Sequence, residues 1–372
     1  MINPNCKKSV RIFLDVPRWF YSTRSTDWLL KIQFANEMRD HDVSISSNII
    51  YDFIYNLQYV ACRFLPRRFM RGIMEACSRL RGIMVSRTKV AVVVSQGVVP
   101  VLSPGKKTIW ETYFLPPQIG EQGVGEFSRG GNNPWIISME KYGSKVYRIG
   151  VRGTFSVMLL RKMYPEYADK VLDLGFVHSE YACLSDIDIE GKQSHQQKDI
   201  EILFVGRMAK LKGLDILIKA LEILRKERMQ GFRFTIISNF HDGHVQLPKE
   251  AWVNWLGEVE HDEVLDAFKR ANLFVMPSFR DSYGLVYHEA LANGCVTFVP
   301  DREPQKEFVD YGRAGMIINP LSPEDIAAKI KMVLDDHKLR TRLAIAGKNW
   351  YLERFSQRVV REAWQGALFE EA

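Results

Sequence analysis

The chain has 372 residues, 46% of them apolar and 26% charged, which is the balance of a globular protein of about two domains and excludes a disordered, collagen-like or disulfide-stapled chain. Lysine and arginine total 51 against 44 acids, a formal charge of +7 too mild in sum to name a partner. Cysteines at 6, 62, 77, 183 and 295 form no CxxC pair, which fits a reducing compartment and argues against a zinc ribbon or a redox dithiol.

At the start, Lys7 and Lys8 precede VRIFLDV, a run broken by Arg11, Asp15 and Pro17, so it does not read as a secretory leader. SVRIFLDVP (9–17) predicts a first strand, STDWLLKIQFANEMRD (25–40) a helix and VSISSNII (43–50) a further strand. Residues 62–89 set Arg63, Arg67, Arg68, Arg71, Arg79, Arg81, Arg87 and Lys89 against one acid, Glu75, with Phe69, Ile73, Leu80 and Met84 at helical spacing. A basic amphipathic helix of this kind points to peripheral contact with a membrane surface. The alternative is a helix packed on the neighbouring sheet with its arginines in water. KVAVVVS (89–95) predicts a strand, and the apolar run Val90–Leu102 carries Ser95, Gln96, Gly97 and Pro100. It reads as one or two buried strands, and no stretch reaches the ~18 apolar residues of a membrane span.

SPGKKT (103–108) lacks the upstream glycine of a P-loop. IGEQGVGEFSRGGNN (119–133) lacks the strand-to-helix setting of a dinucleotide fingerprint and reads as a mobile loop. SDIDIEGKQSHQQKD (185–199) is polar and without periodicity, which predicts an interdomain linker. No zinc finger, RNA-binding signature or aromatic–basic platform points to nucleic acid.

From Asp199 onward the pattern becomes the βα alternation of a doubly wound parallel sheet. The predicted strands are 200–206, 232–238, 252–257, 272–278, 295–300 and 315–320; the predicted helices are 214–228, 261–271, 285–294 and 322–336. Gly294 closes one helix, and Ser322 with Pro323 opens another. His241 and His244 in NFHDGH have no ligand spacing and read as a polar loop, so no metal site is expected.

Open α/β sheets take ligands at the carboxyl ends of their strands, and a helix starting there turns unpaired N–H groups toward an anion. MPSFRDSYGLVYHEALANG (276–294) supplies such a start at Gly284, with Asp281 and Glu289 bracketing it as acceptors for sugar hydroxyls. VGRMAKLKG (205–213) adds two cations, Arg207 and Lys212, after the first strand of the same domain. Two cations and a helix N-terminus can stabilise a departing diphosphate without a metal.

The ordered pair G-R-x-x-x-x-K-G (206–213) and P-S-x-x-D-x-Y-G-L-x-x-x-E-A-x-A-x-G (277–294) resembles the C-terminal domain of retaining GT-B glycosyltransferases of family 4, over about residues 200–340. The resemblance implies a GT-B fold, two Rossmann-like doubly wound α/β domains facing an interdomain cleft. Residues 1–190 would bind acceptor and residues 191–352 the nucleotide sugar, with 353–372 returning to the N-terminal domain. It implies that Glu289 holds the ribose, that Arg207 and Lys212 hold the diphosphate, and that Gly206, Ser282, Tyr283, Gly284, Leu285 and Val286 line the donor. Asp281 stands where the family usually has a glutamate contacting the donor sugar, and Tyr283 replaces the usual phenylalanine. Glu258 and His261 follow a strand where relatives often seat the base, or they merely cap a helix. In the N-terminal half, RWFYSTRS (18–25) lacks the expected glycine loop, and Trp110-Glu111 stand where a His-Asp pair is usual, so Glu111 is a candidate contact near the reacting sugar.

The expected activity is retaining, metal-independent transfer of a hexose from a UDP- or GDP-linked sugar to a glycan or lipid-linked acceptor, in surface polysaccharide or lipopolysaccharide-type synthesis. No cofactor is expected beyond that donor substrate. The chain is expected in the cytoplasm, at the inner face of the membrane. The alternatives are a nucleotide-sugar 2-epimerase of the same architecture and a non-catalytic membrane-associated binding protein.

Overall fold

The computed structural model describes residues 12–14, 54, 67–87, 91–96, 99–112, 134–178, 181–194, 199–239, 243, 245–279 and 284–369. The sequence-predicted helix 25–40, strand 43–50, glycine-rich loop 119–133 and histidines 241 and 244 lie outside them. The chain divides into two compact units, residues 1–179 with 357–372, and residues 180–356.

The first unit runs β1 (Ile12–Leu14), α1 (Arg67–Ser86), β2 (Val92–Gln96), β3 (Lys107–Glu111), α2 (Pro134–Tyr142), β4 (Arg148–Val151), α3 (Thr154–Met163) and β5 (Val171–Asp173). Its sheet is parallel throughout in the order β1-β2-β3-β4-β5. Parallel strands covered on both faces read as unbroken apolar runs. Thr108, Ile109 and Trp110 on β3 are accordingly all buried, and the Trp110 ring stacks at 6.5 Å on Trp135 of α2. Ile149, Val151, Leu160 and Tyr164 complete this core. The apolar run 90–102 yields one strand, β2, followed by a loop whose Val99 and Val101 are buried.

Helix α1 departs from the expected apolar face. Cys77, Ser78, Arg81 and Val85 are buried, Ile73 and Met84 half-buried, while Phe69, Leu80 and Ile83 face water. Ser78 Oγ donates to Pro100 O at 2.7 Å, and a Cβ on Gly82 would collide with Leu102 O, so the helix lies tight on the 100–103 loop. Arg81 donates from Nε to Cys77 O, one turn back, and is not one of the outward arginines.

The second unit runs α4 (Asp186–Gln193), β6 (Ile200–Val205), α5 (Leu214–Lys226), β7 (Phe232–Ile237), β8 (Val253–Gly257), α6 (His261–Arg270), β9 (Leu273–Val275), α7 (Leu285–Ala292), β10 (Val296–Pro300), α8 (Gln305–Phe308), β11 (Met316–Ile318), α9 (Pro323–Asp335) and α10 (His337–Arg354). The parallel sheet has the order β11-β10-β9-β6-β7-β8, so the winding reverses between β6 and β9. That reversal is the switch point at which doubly wound sheets bind ligands. A last helix, α11 (Gln357–Phe369), belongs to the first unit, where Val360 packs on Gly175.

The expected linker 185–199 is in part a helix. Ser185 caps α4 by accepting from Asp188 N at 3.1 Å, with Asp186 and Asp188 suited to the positive end of the dipole. Its far end is locked by buried polar groups. Lys192 Nζ donates to Phe268 O (3.0 Å) and Asn293 O (2.7 Å), and Gln193 Nε2 to Asn272 O (3.0 Å) and Gly294 O (2.9 Å). Arg340 Nη2 donates to Gln193 O at 2.9 Å. Hydrogen-bonded burial of this kind leaves no apolar periodicity, which is why the segment reads as a linker.

Candidate functional site

The loops after β6 and β9 are built against each other. At the end of β6, Gly206 N donates to Ile237 O (3.0 Å), and Gly206 O accepts from Ser238 Oγ (2.6 Å). A Cβ on Gly206 would lie 3.1 Å from Lys212 Cγ and 3.5 Å from Met276 Sδ, so the missing side chain makes room for the Lys212 stem. The 207–213 turn closes through Lys212 N to Met208 O at 3.1 Å and ends at Gly213, whose φ is +77°. A Cβ on Gly213 would collide with Pro277 O, and Phe279 N donates to Leu211 O at 3.0 Å. The Arg207–Lys212 turn is thereby bonded to the loop that leads into α7.

Helix α7 opens on Gly284, φ +74°, which as a glycine brings no capping side chain of its own. Tyr287 packs beneath this turn, and its hydroxyl donates to Met276 O at 2.9 Å. The N–H groups of Leu285 and Val286, in the first turn, have no acceptor within the helix, and with the positive end of the dipole they suit an anion. Glu289, one turn further in, is 7% exposed. It accepts from the Tyr181 hydroxyl at 3.3 Å, and His261 Nε2 lies 3.7 Å from the same oxygen. Burial raises its pKa from 4.5 to about 7, and the Tyr181 hydrogen bond partly offsets this.

Arg207 Nη2 lies 2.9 Å from Glu258 Oε1. Asn239 Nδ2 donates to the other carboxylate oxygen at 3.2 Å, while its Oδ1 accepts from Met208 N at 3.4 Å. The Arg207 and Glu258 side chains are 76% and 49% exposed, so this ion pair orients Arg207 and adds little stability. Arg302 donates from Nη1 to Phe279 O at 3.1 Å and brings a further half-buried cation to the same loop.

Gly206, Arg207, Lys212, Glu258, Gly284, Leu285, Val286 and Glu289 thus stand at the carboxyl ends of the strands of one sheet. Asp281, Ser282 and Tyr283 lie outside the described residues. Glu111 belongs to the first unit, at the end of β3, buried with Arg152 Nη2 3.2 Å from its Oε1. Sequence reasoning did not single out Tyr181, Asn239 or Arg302. Asn239 and Arg302 follow the carboxyl ends of predicted strands, a position that could have flagged them. Tyr181 lies 108 residues from Glu289 and carries no local signal. Among the described residues no group of three or more His, Cys, Asp or Glu side chains could hold a metal.

Residues 186–350 match the family model described as glycosyl transferases group 1. The D-inositol 3-phosphate glycosyltransferase of Paenarthrobacter aurescens is 30% identical over 149 residues, 37% of this chain and 36% of that protein. An uncharacterized 41.2 kDa protein in the cps region of Klebsiella pneumoniae is 32% identical over 145 residues, 39% of this chain and 38% of that one. The chain therefore matches little more than a third of the length of these relatives. Among solved structures, a glycosyltransferase from Rickettsia africae aligns over 98% of this chain and 100% of its own, with a TM-score of 0.62 and 14% identity. Anabaena HepE in complex with UDP aligns over 97% and 99%, with a TM-score of 0.63 and 14% identity. The chain has the two-sheet GT-B fold, and it is residues 186–350, in its second unit, that are similar to the glycosyl transferases group 1 family.

Proposed function

We propose that the protein is a retaining, metal-independent hexosyltransferase that moves a hexose from a nucleotide diphosphate sugar to a glycan or lipid-linked acceptor. The observation that carries this reading is the bonding of the Arg207–Lys212 turn to Pro277–Phe279, the stretch after β9 that precedes the Gly284 helix start, at the switch point of the sheet; two cations and the first amides of α7 there suit one diphosphate. Glu289 accepts the ribose hydroxyls, and Asn239 and Glu258 hold Arg207 ready. When the glycosidic C–O bond breaks, its electron pair goes to the diphosphate oxygen, and Arg207, Lys212 and the amides at Gly284–Val286 stabilise that charge. The acceptor oxygen attacks the same face of the sugar, and its proton passes to the departing diphosphate. Cations and dipoles meet this demand, so the reading needs no metal.

The donor is UDP- or GDP-linked. HepE of Anabaena, of the same fold, was solved with UDP, which makes UDP-hexoses the first to test. Asp281 contacts the hexose and Glu111 the reacting centre on the acceptor side. The reading assigns the acceptor to the first unit and the reaction to the cytoplasm, with a lipid-linked acceptor bringing the chain to the inner membrane face in surface polysaccharide synthesis. Among the described residues no helix is long and apolar enough to cross a membrane.

The test is incubation with UDP- and GDP-hexoses, with and without glycan and polyprenyl-phosphate-linked acceptors, with product linkage read by NMR. An acceptor-dependent product that keeps the donor's anomeric configuration supports the reading. An inverted product, an epimer formed without acceptor, or no donor consumption overturns it.

A further inference from the structure

The outward face of helix α1 is apolar along its length and rimmed by cations. At 100° per residue, Phe69, Gly72, Ala76, Arg79, Leu80, Ile83 and Arg87 fall in one sector of roughly 100°. All seven are exposed: Phe69 by 51%, Leu80 by 52% and Ile83 by 49%, and among the described residues nothing lies within 4 Å of a Cβ built on Gly72. The opposite sector, Cys77, Ser78, Arg81, Gly82 and Val85, is buried against the protein. The helix therefore carries two apolar faces, and packing among the described residues buries one of them.

The outward sector contains no acid. Glu75 lies to its side, half-buried, with Arg71 Nε at 3.1 Å and Lys141 Nζ at 2.5 Å from its oxygens. Arg79 and Arg87 are the charged members of the sector, and the sequence adds Arg63, Arg67, Arg68 and Lys89 at the two ends of the helix. From Phe69 to Ile83 the stripe runs about 21 Å along the axis. A long, narrow apolar stripe with cations beside it matches a helix lying in the plane of a bilayer, apolar side chains among the acyl chains and arginines at the headgroups.

We propose that this face of α1 docks on an anionic lipid surface, with Phe69, Leu80 and Ile83 entering the bilayer and Arg79 and Arg87 meeting lipid phosphates. This deepens the partner assigned in the transferase reading, yet it is tested separately, because lipid binding is measured without donor or acceptor. The full chain is floated with vesicles of phosphatidylcholine alone and of phosphatidylcholine mixed with phosphatidylglycerol. The expected result is binding to the mixed vesicles that falls as salt is raised, and little binding to the neutral ones.

Leu80→Gln with Ile83→Gln should weaken partitioning into mixed vesicles by about tenfold or more, from two exposed side chains that support no core. Arg79→Glu with Arg87→Glu should weaken it comparably and make it less sensitive to salt. Circular dichroism and unfolding midpoints like those of the unaltered chain keep a folding defect apart from a docking defect. Binding that the glutamine pair leaves intact overturns the proposal. So does a chain that ignores both vesicles, or one that self-associates through Leu80 and Ile83 in light scattering. A chain that binds lipid but transfers no sugar overturns the transferase reading alone.

Discussion

The Tyr181 hydroxyl donates at 3.3 Å to Oε1 of Glu289, which ties the start of the second unit to a buried carboxyl one turn inside α7. This bond favours the ionised carboxylate, whereas burial favours the acid and outweighs it. Tyr181→Phe should push the Glu289 titration above about 7, as followed by carboxyl-carbon NMR or infrared difference spectra. It should also raise the donor KM more than it lowers kcat, because the tyrosine orients the carboxyl and does not touch the reacting bond.

The same carboxyl makes stability depend on pH. In the unfolded chain it releases its proton near 4.5, and in the folded chain only near 7. Between these values the native state binds more protons, so stability falls as pH rises through the window and is then level. The span corresponds to about 3 kcal/mol. Glu289→Gln should flatten this part of the profile, as measured by urea unfolding at about pH 5 and about pH 8.

Gly213 occupies a left-handed conformation, φ +77°, with the Pro277 carbonyl where its Cβ would be. Backbone cannot yield as a flexible side chain does. Gly213→Ala should destabilise by roughly 2–3 kcal/mol and part the two loops. Chemical denaturation reads the first effect, and loss of nucleotide affinity reads the second.

Lys192 is buried with its amine shared between Phe268 O, Asn293 O and Cys295 Sγ. Lys192→Met fills a similar volume but leaves two buried carbonyls without this donor. A loss of about 3 kcal/mol in the unfolding free energy is expected, with the far-UV spectrum unchanged.

The βα rhythm of the second unit was legible because buried parallel strands such as Ile200–Val205 stay apolar from end to end and are punctuated by capping residues. Ser322 does accept from Asp325 N at 3.1 Å, and Gly294 does take a positive φ of 64°. The turn after β6 and the helix start at Gly284 were readable for the same reason, since the backbone geometry of each is local. What could not be read depends on distant partners. Helix α4 hid behind polar residues whose carbonyl acceptors lie some 75 to 100 positions away, and Tyr181 meets Glu289 across 108. Arg81 and Leu80 exchange the faces that their chemistry suggests, because the 100–103 loop approaches α1 at Ser78 and Gly82.

The central claim is that the Arg207–Lys212 turn and the Gly284 helix start hold a nucleotide diphosphate. Titration calorimetry with UDP, GDP and their hexoses tests it most directly, on the unaltered chain and on Arg207→Ala/Lys212→Ala. Saturable binding of one nucleotide series, weakened at least about tenfold in the double variant with folding intact, is the predicted result. Equal affinity in both proteins, or binding of neither series to the unaltered chain, would contradict it.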